Sequence, residues 1–162
     1  SNANFLLHQN NNELVDNFIN SKISNLKEFY MAGTSLTTEG VDKIIYSNKM
    51  NTIEKIDLSD GCLIFPAIYQ SQNCRSLKNV GGSFDGVSKD DIINLFNSQY
   101  LNEDFDFSEI ATFISTDEEI IIALSKSKFL KKVLYLPLND IQAITSESIV
   151  ELISSPNLQK SH

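Results

Sequence analysis

No apolar run in the 162 residues approaches the ~20 needed for a helix to cross a bilayer. Basic residues are scarce: 13 Lys and Arg against 21 Asp and Glu leave a formal net charge of −8 and a pI near 4.7. That is the wrong sign for following a phosphate backbone or an anionic lipid surface. It argues against nucleic acid and membrane as partners and favours a protein with a basic surface. Cysteine is almost absent. A chain of this length does not need the one bridge that Cys62 and Cys74 would make, so they read as free thiols in a reducing, cytoplasmic compartment. The two histidines, His8 and His162, stand near opposite ends and no Cys-x-x-Cys spacing exists, so neither a metal site nor any other cofactor is expected. His8 lies in a polar segment with no third orienting group, which leaves no nucleophile and base pair. Gly81-Gly82-Ser83-Phe84-Asp85-Gly86 fails as a phosphate loop. Val87-Ser88-Lys89 follows where Lys and then Ser or Thr are required, and Asp85 would repel the anion, so a loose turn is expected there.

What is present is a globular mixture, 41% hydrophobic and 21% charged, enough to bury the core of one domain. Ser1-Asn2-Ala3 reads as a scar of tag removal, with which a targeting signal could have been trimmed, and is set aside. One apolar pattern is then written twice. Leu26-x-x-Phe29-x-Met31 with Leu36 is followed 27 residues later by Ile53-x-x-Ile56-x-Leu58 with Leu63, which points to a repeat architecture. Ahead of it, residues 4–24 form an N-terminal helix or cap, with Leu14, Val15, Phe18 and Ile19 at helical spacing. The first unit is a strand at Glu28 to Met31, a turn at Gly33 and Thr34, and a helix capped by Thr37 or Thr38 that buries Val41, Ile44 and Ile45. The second keeps its strand, Lys55 to Leu58, and then meets Pro66, tolerable only in the first turn of a short helix. The third enters its helix through Ser88 and Asp91, a capping box with Asp in place of Glu. Two more units are expected. Phe105 and Phe107 form a strand before a capping box at Ser115-Thr116-Asp117-Glu118, and Leu134 and Leu136 form a strand before a helix burying Ile149, Leu152 and Ile153. Carboxylate pairs such as Asp90-Asp91 and Glu118-Glu119 fall in first helical turns, where the helix dipole accounts for them without catalysis.

Leu36-Thr37-Thr38-Glu39-Gly40-Val41 resembles the L-T-x-E-G-V phrase of leucine-rich repeat proteins of the ribonuclease-inhibitor-like subtype. The resemblance covers residues 25 to 158, and departs from the family where Thr34, Gly61 and Asp85 replace the Asn or Cys that closes the turn. It implies an α/β solenoid of about five repeats over residues 25–162, in a single domain with the cap, with parallel strands on a concave face and helices on a convex one. It also implies binding through the concave face and no catalytic chemistry.

With Phe29, Ile56, Val80, Phe105 and Leu134 inward, the pleat turns Glu28, Lys55, Asn79, Asp104 and Val133 outward on one side and Tyr30, Asp57, Gly81, Asp106 and Tyr135 on the other. Asp60 adds to an acidic surface on which Tyr30 and Tyr135 are the natural anchors. The expected function is a non-enzymatic scaffold that binds a protein through this face. The alternative is the recognition arm of a larger enzyme, such as a bacterial ubiquitin ligase, whose catalytic domain lies outside the chain. Self-association through open ends or through the surface around Phe65 and Tyr69 is a third expectation. The Asn-, Ile- and Lys-rich composition suggests a bacterial protein, with delivery into a host cell as one setting.

Overall fold

The computed structural model describes residues 4–6, 12–31, 36–60, 64–83, 86–110, 117–134 and 146–159. Within them the elements run β1 (Asn4–Leu6), α1 (Asn12–Asn20), β2 (Glu28–Met31), α2 (Thr38–Ile45), β3 (Lys55–Asp60), α3 (Phe65–Ile68), β4 (Asn79–Ser83), α4 (Lys89–Phe96), α5 (Glu118–Lys126), α6 (Leu130–Leu134), α7 (Ser146–Ile153) and α8 (Pro156–Gln159). Short 3-10 turns occupy Asn48–Asn51, Gln72–Cys74 and Ser108–Ile110. The chain divides into two compact units: Ser1–Gly86 with Gln99–Asp106, and Val87–Ser98 with Phe107–His162.

The first unit holds a four-stranded parallel sheet in chain order, β1-β2-β3-β4. Its register places Phe29 beside Ile56 and Ile56 beside Val80, and all three side chains are buried. Phe18 of α1 stacks on Phe29 with ring centroids 4.7 Å apart, so α1 covers the sheet's inner face. α2 begins where Thr37 accepts from Gly40 N at 3.2 Å and buries Val41, Ile44 and Ile45. Pro66 sits in the first turn of α3, where its missing N–H costs no hydrogen bond.

The second unit is built from helices. Ser88 and Asp91 close a reciprocal capping box on α4. Its core centres on Phe107, with Phe96 at 5.5 Å and Phe129 at 5.0 Å between ring centroids. Such aromatic contacts add about 0.5–1.5 kcal/mol each beyond the area they bury.

The five-repeat leucine-rich repeat solenoid expected from the sequence is not formed. Among the described residues, strands are confined to one small sheet in the first unit, and helices dominate the rest. Two expected strands are replaced by other structures for identifiable reasons. At 102–105 the Asn102 side chain accepts from Asp104 N at 2.8 Å and its carbonyl accepts from Phe105 N at 3.0 Å, a local Asx-type turn that competes with extension. Phe105 and Phe107 point inward without forming a strand. Leu130, Val133 and Leu134 lie at helical spacing, and this stretch winds into α6; Val133, expected on the outward row, is buried. Leu136 lies outside the described residues. The helix after Thr116 is capped by Asp117, which accepts from Glu119 N at 2.8 Å, two residues after the Ser115 that opens the expected capping box. In α7, Ile153 is exposed instead of buried.

A polar device recurs at the helix ends. A serine closing one helix donates its hydroxyl to a backbone carbonyl at the end of an earlier one: Ser71 to Ile45 O at 2.8 Å, Ser127 to Phe96 O at 2.7 Å, and Ser155 to Ser125 O. The same oxygen accepts the N–H two residues on, from Asn73, Phe129 and Asn157 respectively. Asn73 and Asn157 then reach back to Tyr46 O at 2.7 Å and Lys126 O at 3.1 Å. The last carbonyls of a helix have no intrahelical donor, and this device supplies one.

Candidate functional site

The outward face of the sheet is the candidate site, and the inward packing of Phe29, Ile56 and Val80 creates it. Alternation along the strands turns Glu28 and Tyr30, Lys55 and Asp57, and Asn79 and Gly81 outward. Backbone bonds fix the row in space. Glu54 N and Lys55 N donate to Lys27 O, Lys78 N and Asn79 N to Glu54 O, and Asp106 N to Lys78 O at 2.7 Å. Asp106 thus stands in the place beside Asn79 that the sequence assigned to Asp104. The Asn79 amide donates to Asp106 Oδ2 at 3.3 Å, completing a row of Glu28, Lys55, Asn79 and Asp106. Asp104 is exposed in the preceding turn. Asp60 ends β3 opposite Ser83, beyond an irregularity in the pairing, and its side chain lies outside the described residues, as does Tyr135.

Within the face, Tyr30 donates its hydroxyl to Glu28 Oε2 at 2.7 Å, and the Lys55 ammonium stands 5.6 Å from the Tyr30 ring centroid. The hydrogen bond to Glu28 holds the Tyr30 hydroxyl above its ordinary pKa, aided by burial and opposed by Lys55. Tyr30 is therefore a neutral, oriented ring throughout the physiological range. The Asp57 carboxylate lies over Gly81: a Cβ there would meet Asp57 Oδ2 at 2.7 Å. Glycine at 81 is what leaves this carboxylate its room.

Sequence reasoning missed a second row immediately before the strands. Glu54 bridges Lys27 at 3.0 Å and Lys78 at 3.6 Å, and these lysines, Lys27 first, hold its carboxyl below the usual range. The signal was readable as alternating charge at the residue before each strand start. Lys27, Glu28, Glu54, Lys55 and Asn79 line a cleft of about 370 Å³. This corner is of mixed charge, so the acidic character of the face concentrates at Asp57, Asp104 and Asp106. A larger cleft of about 620 Å³ lies between the end of α1 and the turn at Asn48–Asn51. There the Lys49 ammonium donates to Ser21 O, Ser21 Oγ and Ile23 O, which occupies all three of its protons and ties the end of α1 to that turn.

Among the described residues no group of three or more His, Cys, Asp or Glu side chains is placed to hold a metal ion, and no helix is long and apolar enough to cross a membrane. Cys74 is a buried free thiol; Cys62, His8 and His162 lie outside the described residues. Comparison with protein-family models, curated proteins and solved structures finds no match.

Proposed function

We propose that this chain is a protein-recognition module without catalysis of its own, and that its partner presents basic side chains to the outward face of the sheet. One observation carries the reading. Tyr30, Asp57 and the Asn79–Asp106 pair share one face, with the Asp57 carboxylate set over Gly81 and Asp106 exposed. A tyrosine oriented by its neighbour loses little entropy on contact, and carboxylates placed by backbone hydrogen bonds offer fixed points for Lys or Arg. The net charge of −8 steers a basic partner toward the chain and nucleic acid away from it. A cytoplasmic setting, in the producing cell or a host, fits the free thiol at Cys74.

The test compares binding of a partner captured from native lysate to the wild-type chain and to the Asp57→Lys/Asp106→Lys variant. A Glu13→Lys/Glu39→Lys variant makes the same charge change on α1 and α2 of the same unit. The face variant should lose roughly tenfold or more in affinity, with a salt-dependent association rate, while the matched variant should stay close to wild type. Gly81→Ala, which displaces the Asp57 carboxylate without changing charge, should also weaken binding. Equal affinities for all the variants, with circular dichroism showing each one folded, would remove this face from consideration.

A further inference from the structure

We infer that α7 and α8 carry a second docking surface, which accepts an amphipathic helix whose apolar stripe is flanked by lysine or arginine. The inference rests on comparing equivalent places around five serines that each follow a helix: Ser47, Ser71, Ser98, Ser127 and Ser155. The residue two before it is buried wherever its carbonyl takes the following serine's hydroxyl: Ile45 is 0% exposed, Phe96 1% and Ser125 2%. The residue three after it is buried as well, at 0% for Met50, Cys74 and Leu130 and 1% for Leu101. Around Ser155 both places are open. Ile153 is 63% exposed and Leu158 37%, and Val150, one turn before Ile153, is 60% exposed.

The helices that carry Ile45, Phe96 and Ser125 each pack against a later helix: α3 against α2, α5 against α4, and α7 against α5. At α7 the described residues leave Val150 and Ile153 exposed instead. Charge selects among possible occupants. Glu147 and Glu151 are exposed beside Val150 and Ile153, and no basic residue occurs in α7. Neighbouring helices in this chain are joined by opposite charges, Lys43 to Asp16 at 3.4 Å in the first unit and Lys89 to Asp117 and Glu119 at 3.6 and 3.2 Å in the second. A second copy docking through the same face would bring four carboxylates together, whereas a basic amphipathic helix would pair them.

The experiment uses a fluorescein-labelled synthetic helix of leucine and lysine and its leucine–glutamate twin, titrated with the full chain and followed by fluorescence anisotropy. The basic helix should bind and the acidic twin should not. Val150→Ser/Ile153→Ser, both at exposed sites and without charge change, should weaken binding by roughly tenfold or more, and Asp57→Lys/Asp106→Lys should keep most of it. Affinity unchanged by Val150→Ser/Ile153→Ser would reduce the effect to general acidity and overturn the inference, as would no binding of either helix. Light scattering that reveals a dimer lost in Val150→Ser/Ile153→Ser would assign the face to a second copy and overturn it too.

Discussion

Cys74 lies in the first unit's core with its thiol 3.9 Å from Ile45 O, the carbonyl that also takes the Ser71 hydroxyl. Burial disfavours the thiolate and pushes its pKa up from 9.0 to about 11. Because the folded value lies above the unfolded one, the unfolded chain releases this proton first as pH rises. The contribution to stability is therefore whole below pH 9 and is lost between pH 9 and about 11, an effect on the order of 2–3 kcal/mol. The same burial keeps the sulfur from reagents. In a Cys62→Ser background, which leaves one thiol to follow, Cys74 should react with iodoacetamide slowly at pH 8 and quickly in denaturant. Rapid labelling of the native chain would show that the site opens without unfolding. Cys74 then acts as a small apolar residue, as free buried cysteines commonly do.

The serine device makes its prediction at the level of the element. Ser71 and Ser127 are buried, and each satisfies a helix-end carbonyl with no donor of its own helix. Ser71→Ala and Ser127→Ala should each cost roughly 1–3 kcal/mol, the range for stranding a buried acceptor. Ser76→Ala, which removes a hydrogen bond to Asn51 O in an exposed setting, should cost less than about 1 kcal/mol because water replaces the hydroxyl. Urea unfolding of the three variants reads the difference, and equal costs would show that burial does not set it. The device also explains what the sequence made legible. Strands β2, β3 and β4 were readable because Phe29, Ile56 and Val80 alternate with polar neighbours and recur at similar intervals, and Thr37 and Ser88 announced their helices by side-chain chemistry. Counting apolar residues alone passed over the serines, which recur as regularly as the leucines. It also failed where one spacing serves two structures. Leu130, Val133 and Leu134 suit a helix as well as a strand start, and nothing local forces extension there. The candidate face was mostly readable from alternation, but the Asx-type turn at Asn102 moved its fourth place from Asp104 to Asp106, a shift of two residues that apolar spacing does not encode. Gly81 stands beside Asp57 on the outward row, as alternation placed it, but the need for glycine there was not legible: its missing Cβ admits the Asp57 carboxylate.

At the scale of the whole molecule, the division into two compact units, each with its own aromatic cluster, sets how the chain should come apart. Domains with separate cores are the usual units of cooperative unfolding, and the residues here give each unit its own optical signal. The chain has five tyrosines and no tryptophan. Tyr30, Tyr46, Tyr69 and Tyr100 belong to the first unit, so tyrosine fluorescence reports mainly on the sheet and its covering helices. Far-ultraviolet circular dichroism is weighted toward the second unit, which holds α4 through α8. Ser71→Ala should therefore move the fluorescence transition to lower urea more than the dichroism transition, and Ser127→Ala should do the reverse. If both probes shift together in both variants, the chain unfolds as one cooperative body, and the cost of each substitution belongs to the whole molecule. If they separate, the sheet face and the exposed α7 surface stand on cores of independent stability, and loss of binding at one is open to interpretation only after the other unit's probe shows it intact.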